Sequence, residues 1–477
     1  MTQVHDPASD SDAAAARAAA AASGGPPGLD LEGAPVILGE HTSESLNRSL
    51  LDHVWRRAGP GWWTLFLIAL AGTGLYVTCI IYLLVRGVGV WGNNQPVGWA
   101  FDIINFVWWI GIGHAGTLIS AILLLFQQKW RTSINRFAEA MTLFAVACAG
   151  IYPLLHTGRP WFDYWFAPYP STLGIGPQFK SPLVWDLFAI STYLTVSFLF
   201  WYVGLIPDLA ALRDSSPTRR KRILYGIFAL GWRGSGRHWH HYKIAYLLLA
   251  GLSTPLVVSV HTIVSFDFAT SVIPGWHTTV FPPYFVAGAV FSGFAMVVTL
   301  AVPARKFLGL RHVITDRHLE NMNKVILATG LIVAYGYLME HFVAWYGGNQ
   351  YEQYLFFTNR AAGPFHGVYA LMLFCNVVIP QFFWFKRART SIAWMWIASI
   401  LINIGMWCER FIIIVTSIQQ DFLPSSWDAY SPTWVDWGMY IGSLCFFSTL
   451  FLLFLKFVPA VAVSEVKELN QELRGHA

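Results

Sequence analysis

Ten apolar runs, each about as long as a bilayer is thick, dominate this sequence of 477 residues. A helix needs about 20 mostly apolar residues to cross the hydrocarbon. Only helices and closed barrels satisfy their backbone polar groups there, and runs of this length indicate helices. We therefore predict an all-α membrane protein with ten transmembrane helices, at residues 62–85, 101–126, 136–157, 183–206, 243–266, 281–304, 322–346, 365–386, 391–416 and 435–457.

The composition excludes the common soluble classes. Hydrophobic residues make up 55% of the chain and charged residues only 12%, whereas soluble domains carry about 25% charged residues. The aromatic fraction of 16%, with 23 Trp, is typical of helices with aromatic belts at both membrane interfaces. A cytosolic enzyme, a secreted disulfide protein and a disordered scaffold are all excluded.

Residues outside the helices form two tails and one short amphipathic segment. Residues 1–44 are rich in Ala, Gly, Ser and Asp, and they lack the basic and apolar regions of a signal peptide. We predict a flexible cytoplasmic tail there and a second one at 461–477. Residues 45–60 predict an amphipathic helix on the membrane surface, and residues 61–460 form the membrane domain.

The basic residues alternate from loop to loop. Loops after the second, fourth, sixth and eighth predicted helices hold 19 Lys and Arg, whereas the loops after the odd-numbered helices hold only Arg86, Arg159, Lys180 and Arg360. Because basic loops stay in the cytoplasm, we predict that both termini are cytoplasmic, in a bacterial inner membrane. The net charge of +5 then reflects topology and gives no indication of nucleic-acid binding.

A weak internal repeat relates the two halves of the membrane domain. The third predicted helix ends in the segment 151–156 and the seventh in the segment 335–341, each with Tyr and a final His, and each follows a short basic loop. This pattern indicates two four-helix bundles of the same orientation, formed by helices two to five and six to nine, with the first and tenth helices as flanks.

Ionisable residues converge on the outer membrane layer. Burying a charge at the centre of a membrane helix costs about 2.5–3.5 kcal/mol, so such residues need a role. The predicted topology places seven polar residues near the outer ends of the third, fourth and fifth helices: His156, Arg159, Asp163, Asp186, His261, Ser265 and Asp267. His114, on the second helix, lies nearer the middle of the membrane.

This set of side chains suits a quinone headgroup, whose oxygens need donors and whose oxidation from quinol needs a proton acceptor. We predict catalytic roles for His156, Asp186 and Asp267. Arg159, His261, Ser265 and Arg410 complete the predicted binding site, with the ring walled by Trp108, Trp109, Trp161 and Trp185. The alternative stays open that these are ordinary interfacial residues.

A second polar group lies on the seventh, eighth and ninth helices. Glu409 and Arg410 are adjacent, so we expect them to face different directions and Arg410 to pair across helices, either in the quinone pocket or with Glu340. A proton pathway is predicted through residues of both halves, namely His114, Tyr335, Glu340, His341 and Glu409, and Tyr337 and His366 lie near it.

The chain offers no set of residues for a metal or a cluster. Its five cysteines stand far apart in apolar stretches, at positions 79, 148, 375, 408 and 445. Iron–sulfur clusters and zinc sites need several nearby ligands. The His-rich segment 237–241 lies on a basic loop and is predicted to be surface. We therefore expect no metal site, haem or iron–sulfur cluster in this chain.

Three motifs carry a resemblance to a known family. The segments 156–161 (HTGRPW), 185–186 (WD) and 261–268 (HTIVSFDF) in a ten-helix layout resemble the NrfD/polysulfide-reductase membrane subunits. Within that family the chain is most similar to a membrane subunit of bacterial alternative complex III, the one of ActC type. The resemblance covers about residues 45–460.

The resemblance implies a subunit that binds menaquinol near the periplasmic face and passes electrons to a periplasmic iron–sulfur partner. It also implies multihaem cytochromes c and a second NrfD-like membrane subunit as neighbours, with cytochrome c or an oxidase as the final acceptor. By motif match the quinol pocket falls on His156, Asp186, Asp267 and Arg410. The family further implies a proton half-channel to the periplasm and coupling to proton translocation.

Two other functions remain possible from the residues alone. A haem b cytochrome needs two His facing each other from neighbouring helices, for which His156 and His261 are candidates. A secondary transporter suits the repeats and buried charges, and it would use a broken helix such as that at 253–255. Carboxylates near the His residues favour the quinone site over both.

Overall fold

The computed structural model describes residues 36–39, 41–167, 179–420 and 422–475. Within these residues ten helices are long and apolar enough to cross a membrane, and the all-α prediction is confirmed. We number them α1 to α10: Pro60–Arg86, Phe101–Leu125, Asn135–Leu155, Pro182–Asp214, Gly236–Ala269, Phe281–Phe307, Asp316–Gly347, His366–Trp384, Ile392–Ile418 and Trp434–Phe457.

Three helices extend well beyond their predicted spans. α4 and α5 contain 33 and 34 residues, which at the rise of an α-helix gives about 50 Å, against about 30 Å of hydrocarbon. α7 likewise begins at Asp316, before its apolar run. The side chain of Ser235 caps α5 by accepting a hydrogen bond from the His238 N–H. Hydropathy detects only the part of each helix that lies in lipid, so it does not reveal the polar ends.

Three helices occupy the centre of the molecule. α2, α6 and α9 are the most buried spans. α2 packs against α3, α5, α6 and α9, and α6 also packs against α5, α7 and α9. α1 and α10 pair with each other at the periphery, and α8 packs against α7 and α9. The division into two repeated bundles stays a prediction.

Small residues let the central helices approach closely. A Cβ atom added at Gly116 of α2 would lie 2.1 Å from the carbonyl oxygen of Ala138 on α3. One added at Gly293 of α6 would lie 1.8 Å from the Cβ atom of Ala115 on α2. No side chain fits at either position, as is usual where membrane helices pack backbone to backbone. The short run of Gly in α2 therefore serves packing.

The middle of α8 departs from α-helical geometry. A π-helical segment spans Phe374–Val378 and buries Cys375 and Asn376. π-bulges re-aim side chains and are frequent at functional sites. Here the Asn376 side chain donates a hydrogen bond of 2.8 Å to the Tyr337 hydroxyl on α7, so the bulge directs an amide into the polar interior.

The helix Ser43–Trp55 is amphipathic, as predicted, but its apolar side faces other parts of the protein. Its apolar side chains are buried within the protein, namely Leu46, Leu50, Leu51 and Val54. The helix contacts α10 and a C-terminal helix, Val463–Gly475. Its apolar face is thus covered by protein, and the prediction that the helix lies at the membrane surface stays a prediction.

Parts of both predicted tails are ordered. Val36 and Ile37 are buried, and the Leu38 N–H donates to the His312 carbonyl at 2.9 Å; the earlier tail residues lie outside the described part. In the C-terminal helix, Glu465 accepts hydrogen bonds from Arg131 at 2.6 Å and from Asn135 at 3.1 Å. These partners lie in other elements, and the sequence of the tails alone cannot indicate them.

The loops after α2, α4, α6 and α8 lie at one end, which we call the basic face, and the other end is the opposite face. A buried ion cluster stands behind the basic face. Arg136 lies 3.1 Å from Glu139 and 2.9 Å from Asp208 on α4. Tyr246 of α5 donates to Glu139 at 2.8 Å. The cluster joins three helices, and its two carboxyl groups share the Arg136 guanidinium.

Candidate functional site

His156 follows the last residue of α3, toward the opposite face. It is half-buried, and its Nδ1 lies 2.7 Å from the Pro153 carbonyl oxygen. Both Asp102 and Asp163 lie within electrostatic reach of it. Burial raises the pKa of Asp163, while a 2.9 Å hydrogen bond from Thr157 lowers it. His156 is thus held in place by backbone and surrounded by carboxyl groups.

Asp186 of α4 and Asp267 of α5 form a carboxyl pair near the same face. Their carboxyl groups face each other within hydrogen-bonding reach, and Asp186 is buried. Two carboxyls bond to each other only when one carries a proton. Among the described residues, Oδ1 of each Asp is buried and has no hydrogen-bond partner. A buried oxygen without a hydrogen-bond partner indicates a site for a ligand or a water molecule.

A buried pair of imidazoles lies deeper in the molecule. Nδ1 of His114 on α2 is 2.7 Å from Nδ1 of His261 on α5, and both side chains are almost fully buried. One ring donates and the other accepts. The Tyr193 ring packs edge-on against His114 at 4.5 Å. Within the described part of the chain, Nε2 of each His is buried without a partner.

Arg410 connects this pair to the second half. It lies within electrostatic reach of His261, and its guanidinium lies over the Phe285 ring at 4.1 Å. Its Nη1 is 2.9 Å from Oε1 of Glu409. The prediction that the two neighbours face apart is therefore wrong. Arg410 also reaches across helices, to the Phe285 ring of α6 and within electrostatic reach of Glu340 on α7.

Glu409 continues into a hydrogen-bonded group on α7 and α8. The Tyr337 hydroxyl donates to Oε2 of Glu409 and accepts from Asn376. Tyr284 of α6 lies within electrostatic reach of Glu409 and of Glu340. Because these groups are buried and joined across four helices, they can form a route for protons through the protein interior.

A small cavity adjoins this group. Its lining includes Tyr337, Glu340, His341, Arg360 and Glu409, and it has room for about one water molecule. Nε2 of His341 lies 2.8 Å from the Tyr369 hydroxyl. A water there would reach several polar partners. The predicted residues Glu340, His341 and Glu409 are thus brought together in one place.

Other predicted residues lie apart. Arg159 is exposed, and its backbone N–H bonds to Thr157. Ser265 is buried but donates to the Thr262 carbonyl of its own helix at 2.5 Å. Tyr335 is 59% exposed, on the outer surface of α7, and His366 is exposed. None of these side chains points into the described polar groups.

Four tryptophans were predicted to line the quinone ring. Of these, only Trp185 lies beside the carboxyl pair, where its ring packs edge-on against Phe266 with the ring centroids 6.2 Å apart. Trp108 donates to the Asn403 carbonyl at 3.1 Å and Trp109 donates to Ser443 at 3.0 Å. Both therefore tie α2 to α9 and α10 and do not wall a ring pocket. Trp161 is 60% exposed.

The geometry does not fit the haem or transporter alternatives. His156 bonds to backbone at the end of α3, whereas His261 bonds to His114. α5 also runs unbroken through Pro255, so it lacks the broken helix on which a transporter site would depend.

Sequence reasoning missed several residues of these groups. Asp102, Tyr193, Asn376 and Arg360 are buried and lie in or beside them. Asp102 opens an apolar run and so resembles a loop residue, and Asn376 reaches the site only because of the π-bulge. The recurrence of polar residues on one helical face was the available signal for Tyr193, which lies seven residues after Asp186.

Comparison with known proteins identifies the family of this chain. The family described as polysulphide reductase, NrfD, matches residues 89–421. A Halobacterium salinarum protein named as a membrane subunit of dimethyl sulfoxide reductase is 26% identical over 52% of each chain, so the match spans about half its length. A selenate reductase subunit of Mesobacillus selenatarsenatis is 21% identical over 85% of this chain and 95% of its own.

The name of a further relative includes menaquinol. The Hdr-like menaquinol oxidoreductase integral membrane subunit of Archaeoglobus fulgidus is 21% identical over 85% of this chain and 95% of its own. The family match runs from just before α2 to just beyond α9, and it includes the carboxyl pair, the imidazole pair and Arg410. This multi-pass membrane chain therefore belongs to the NrfD/polysulphide reductase family.

Proposed function

We propose that the chain binds menaquinol and oxidises it at the carboxyl pair of Asp186 and Asp267. The observation that carries the proposal is that these two carboxyl groups face each other, with Asp186 buried and Asp267 half-buried, and that one buried oxygen of each has no hydrogen-bond partner among the described residues. A quinol hydroxyl is a donor that satisfies such an oxygen. Trp185 and Phe266, packed edge-on at 6.2 Å beside the pair, supply aromatic surface for the ring.

The residues account for the protons of the reaction. A quinol that becomes a quinone loses two protons and two electrons. A carboxyl pair that shares one proton still offers one carboxylate, which accepts the first proton from a quinol hydroxyl. His156, which lies near Asp102 and Asp163, is the proposed acceptor of the second, since an imidazole can take a proton from a quinol hydroxyl. Both protons then leave at the opposite face.

The electrons need an acceptor outside this chain. We propose a docked iron–sulfur protein as that acceptor, since a cluster takes electrons singly from the quinol and from the intermediate semiquinone. The A. fulgidus relative bears the name of a menaquinol oxidoreductase subunit, and two others bear the names of reductase subunits. All three are named as subunits, which supports an assembly with partners.

Within the family we favour the alternative complex III type. The reason is the combined motif set of His156, Asp186, Asp267 and Arg410. The neighbours would then be the iron–sulfur subunit, multihaem cytochromes c and a second NrfD-like membrane subunit, in a bacterial inner membrane with both termini cytoplasmic. The alternation of basic loops supports that orientation.

We further propose that the interior polar groups conduct protons. The order along the proposed route is the imidazole pair, then Glu409, then Tyr337, with Glu340 and His341 beyond. Arg410 stays protonated and holds Glu409 in place by their ion pair. The small cavity beside Glu340 supplies the place for a connecting water. This route extends from α2 and α5 into the second half, and it supports coupling between quinol chemistry and proton translocation.

The function is tested by removing one carboxylate at a time. In the assembled complex, Asp186→Asn and Asp267→Asn should each lower quinol:acceptor turnover by about 100-fold or more, because general-base contributions are of that size. Asp428→Asn is the matched control, since Asp428 is exposed in the loop after α9. Full turnover in both test variants, with assembly intact, would refute the assigned site.

A further inference from the structure

A cavity of about 410 Å³ opens at the basic face, far from the quinol site. It lies between the end of α4, the start of α5 and the C-terminal helix Val463–Gly475. Its walls combine two indoles, Trp232 and Trp239, with two lysines, Lys243 and Lys467. A packed core would not contain two lysines, and a solvated surface would not contain two neighbouring indoles. The proposed quinol mechanism involves none of these residues.

The charges of the cavity favour an anion. Asp208, which also lines it, is already held by Arg136 at 2.9 Å and by the Ser464 N–H at 3.2 Å. Lys467 is half-buried, and burial lowers the pKa of its amine while Asp208 raises it. Within the part of the chain that the structure describes, Lys467 makes no ion pair, and Glu468, the other carboxylate of the lining, is paired with Lys243. The connection between α4 and α5, which carries Trp232, also holds four consecutive exposed basic residues at 219–222, so the basic face as a whole attracts anions.

Lys243 is positioned to respond to such an anion. Its Nζ lies 2.5 Å from Glu468 of the C-terminal helix, but its side chain is 58% exposed. Exposed ion pairs contribute little, about 0–1 kcal/mol. A phosphate group in the cavity can therefore recruit this amine at small cost, and two lysines would then face the ligand.

An apolar strip leads away from the cavity along α5. Ile244, Leu247 and Leu248 are 46%, 53% and 68% exposed. Leu247 lies four residues after Lys243, which places both on one helical face. The strip runs from the basic face toward the middle of the membrane span. A polar pocket that continues into a lipid-facing apolar surface matches an amphiphile.

The indoles complete this match. Trp232 and Trp239 are half-buried and pack edge to face, with ring centroids 5.0 Å apart. Trp is enriched at the level of lipid headgroups, where its ring is apolar and its N–H is a donor. We propose that this cavity binds the phosphate headgroup of an anionic membrane phospholipid, whose acyl chains lie against Leu247 and Leu248.

The test measures lipid retained by the purified full-length chain. The protein is reconstituted into nanodiscs of phosphatidylcholine with or without phosphatidylglycerol, and native mass spectrometry then counts bound phosphatidylglycerol. The unaltered chain should retain it, and Lys467→Gln should lower retention about fivefold, the effect of one lysine near a membrane surface. Lys243→Gln in addition should lower retention further, whereas Lys467→Arg should keep most of it.

Two controls make the outcome decisive. Lys306→Gln removes an exposed charge at the end of α6 on the same face, away from the cavity, and it should leave retention unchanged. Excess inorganic phosphate should not displace the lipid, because the acyl chains contribute to binding. Equal retention by Lys467→Gln and Lys306→Gln, or displacement by phosphate alone, would overturn the proposal. Unfolding temperature in phosphatidylcholine nanodiscs verifies that each variant is folded.

Discussion

His114 and His261 meet Nδ1 to Nδ1 at 2.7 Å in the centre of the helical bundle, where both rings are almost fully buried. The contact joins α2 to α5, and Arg410 of α9 lies within electrostatic reach of it. It therefore links the half that holds the carboxyl pair to the half that holds Glu409. This pair is the point at which the proposed quinol site and the proposed proton route adjoin.

The first prediction concerns this pair. His114→Phe should leave the His261 nitrogen without its partner and cost about 1–3 kcal/mol, the usual penalty for a buried unsatisfied group. The unfolding temperature of the purified chain measures the cost. His366→Phe, at an exposed position, serves as control. An unchanged unfolding temperature in His114→Phe would mean that the bond contributes nothing.

The second prediction concerns Glu409 and Arg410. Arg410→Met should destabilise the chain by about 3–5 kcal/mol, because it leaves the Glu409 carboxylate buried and uncompensated. Adding Glu409→Gln to it should restore most of that stability, since both buried charges are then gone. Chemical unfolding of the single and double variants gives the two values. If the double variant is no more stable than Arg410→Met, the ion pair is not the source of the loss.

The third prediction concerns helix packing. Gly293→Val should prevent the approach of α6 to α2, because the first added carbon already lies 1.8 Å from the Cβ atom of Ala115. We expect a loss of at least about 1–3 kcal/mol, or no folded protein. Gly150→Val is a matched control, since no atom lies within 4 Å of an added Cβ at Gly150 on α3. Similar yields and unfolding temperatures for both variants would contradict the packing.

The fourth prediction concerns proton conduction. Tyr337→Phe removes the hydroxyl that donates to Glu409 and accepts from Asn376. Quinol oxidation should continue while the number of protons translocated per electron falls, measured with the complex in proteoliposomes. Tyr335→Phe is the control, because Tyr335 faces outward on the same helix. An equal proton yield in both variants would remove Tyr337 from the route.

Hydropathy predicted the apolar part of all ten helices, because an apolar run of bilayer length has few other structures available, but it did not predict the polar ends of α4, α5 and α7. The two terminal segments were predicted less well. Residues 36–39 and the C-terminal helix depend on distant partners such as His312 and Arg131. Such tertiary contacts leave no pattern in the segments themselves.

The sequence identified the polar residues, because a charged side chain in an apolar helix is conspicuous. It did not predict which of these side chains bond to each other. The sequence placed His261 with His156 and Asp186, whereas the structure bonds it to His114. It separated Glu409 from Arg410, which form an ion pair. A helical wheel gives the direction of each Cβ atom but not the conformation of a long side chain, nor the depth at which two helices cross.

The most direct test of the account is photolabelling of the assembled complex with an azido-menaquinone, followed by peptide mass spectrometry. The label should appear on the peptides of α4 and α5 that contain Asp186 and Asp267, and excess menaquinol should suppress it. Asp186→Asn should weaken that labelling, whereas Asp428→Asn should not. Labelling confined to other helices, or labelling of these peptides that menaquinol does not suppress, would contradict the central claim that the quinol headgroup binds at the carboxyl pair.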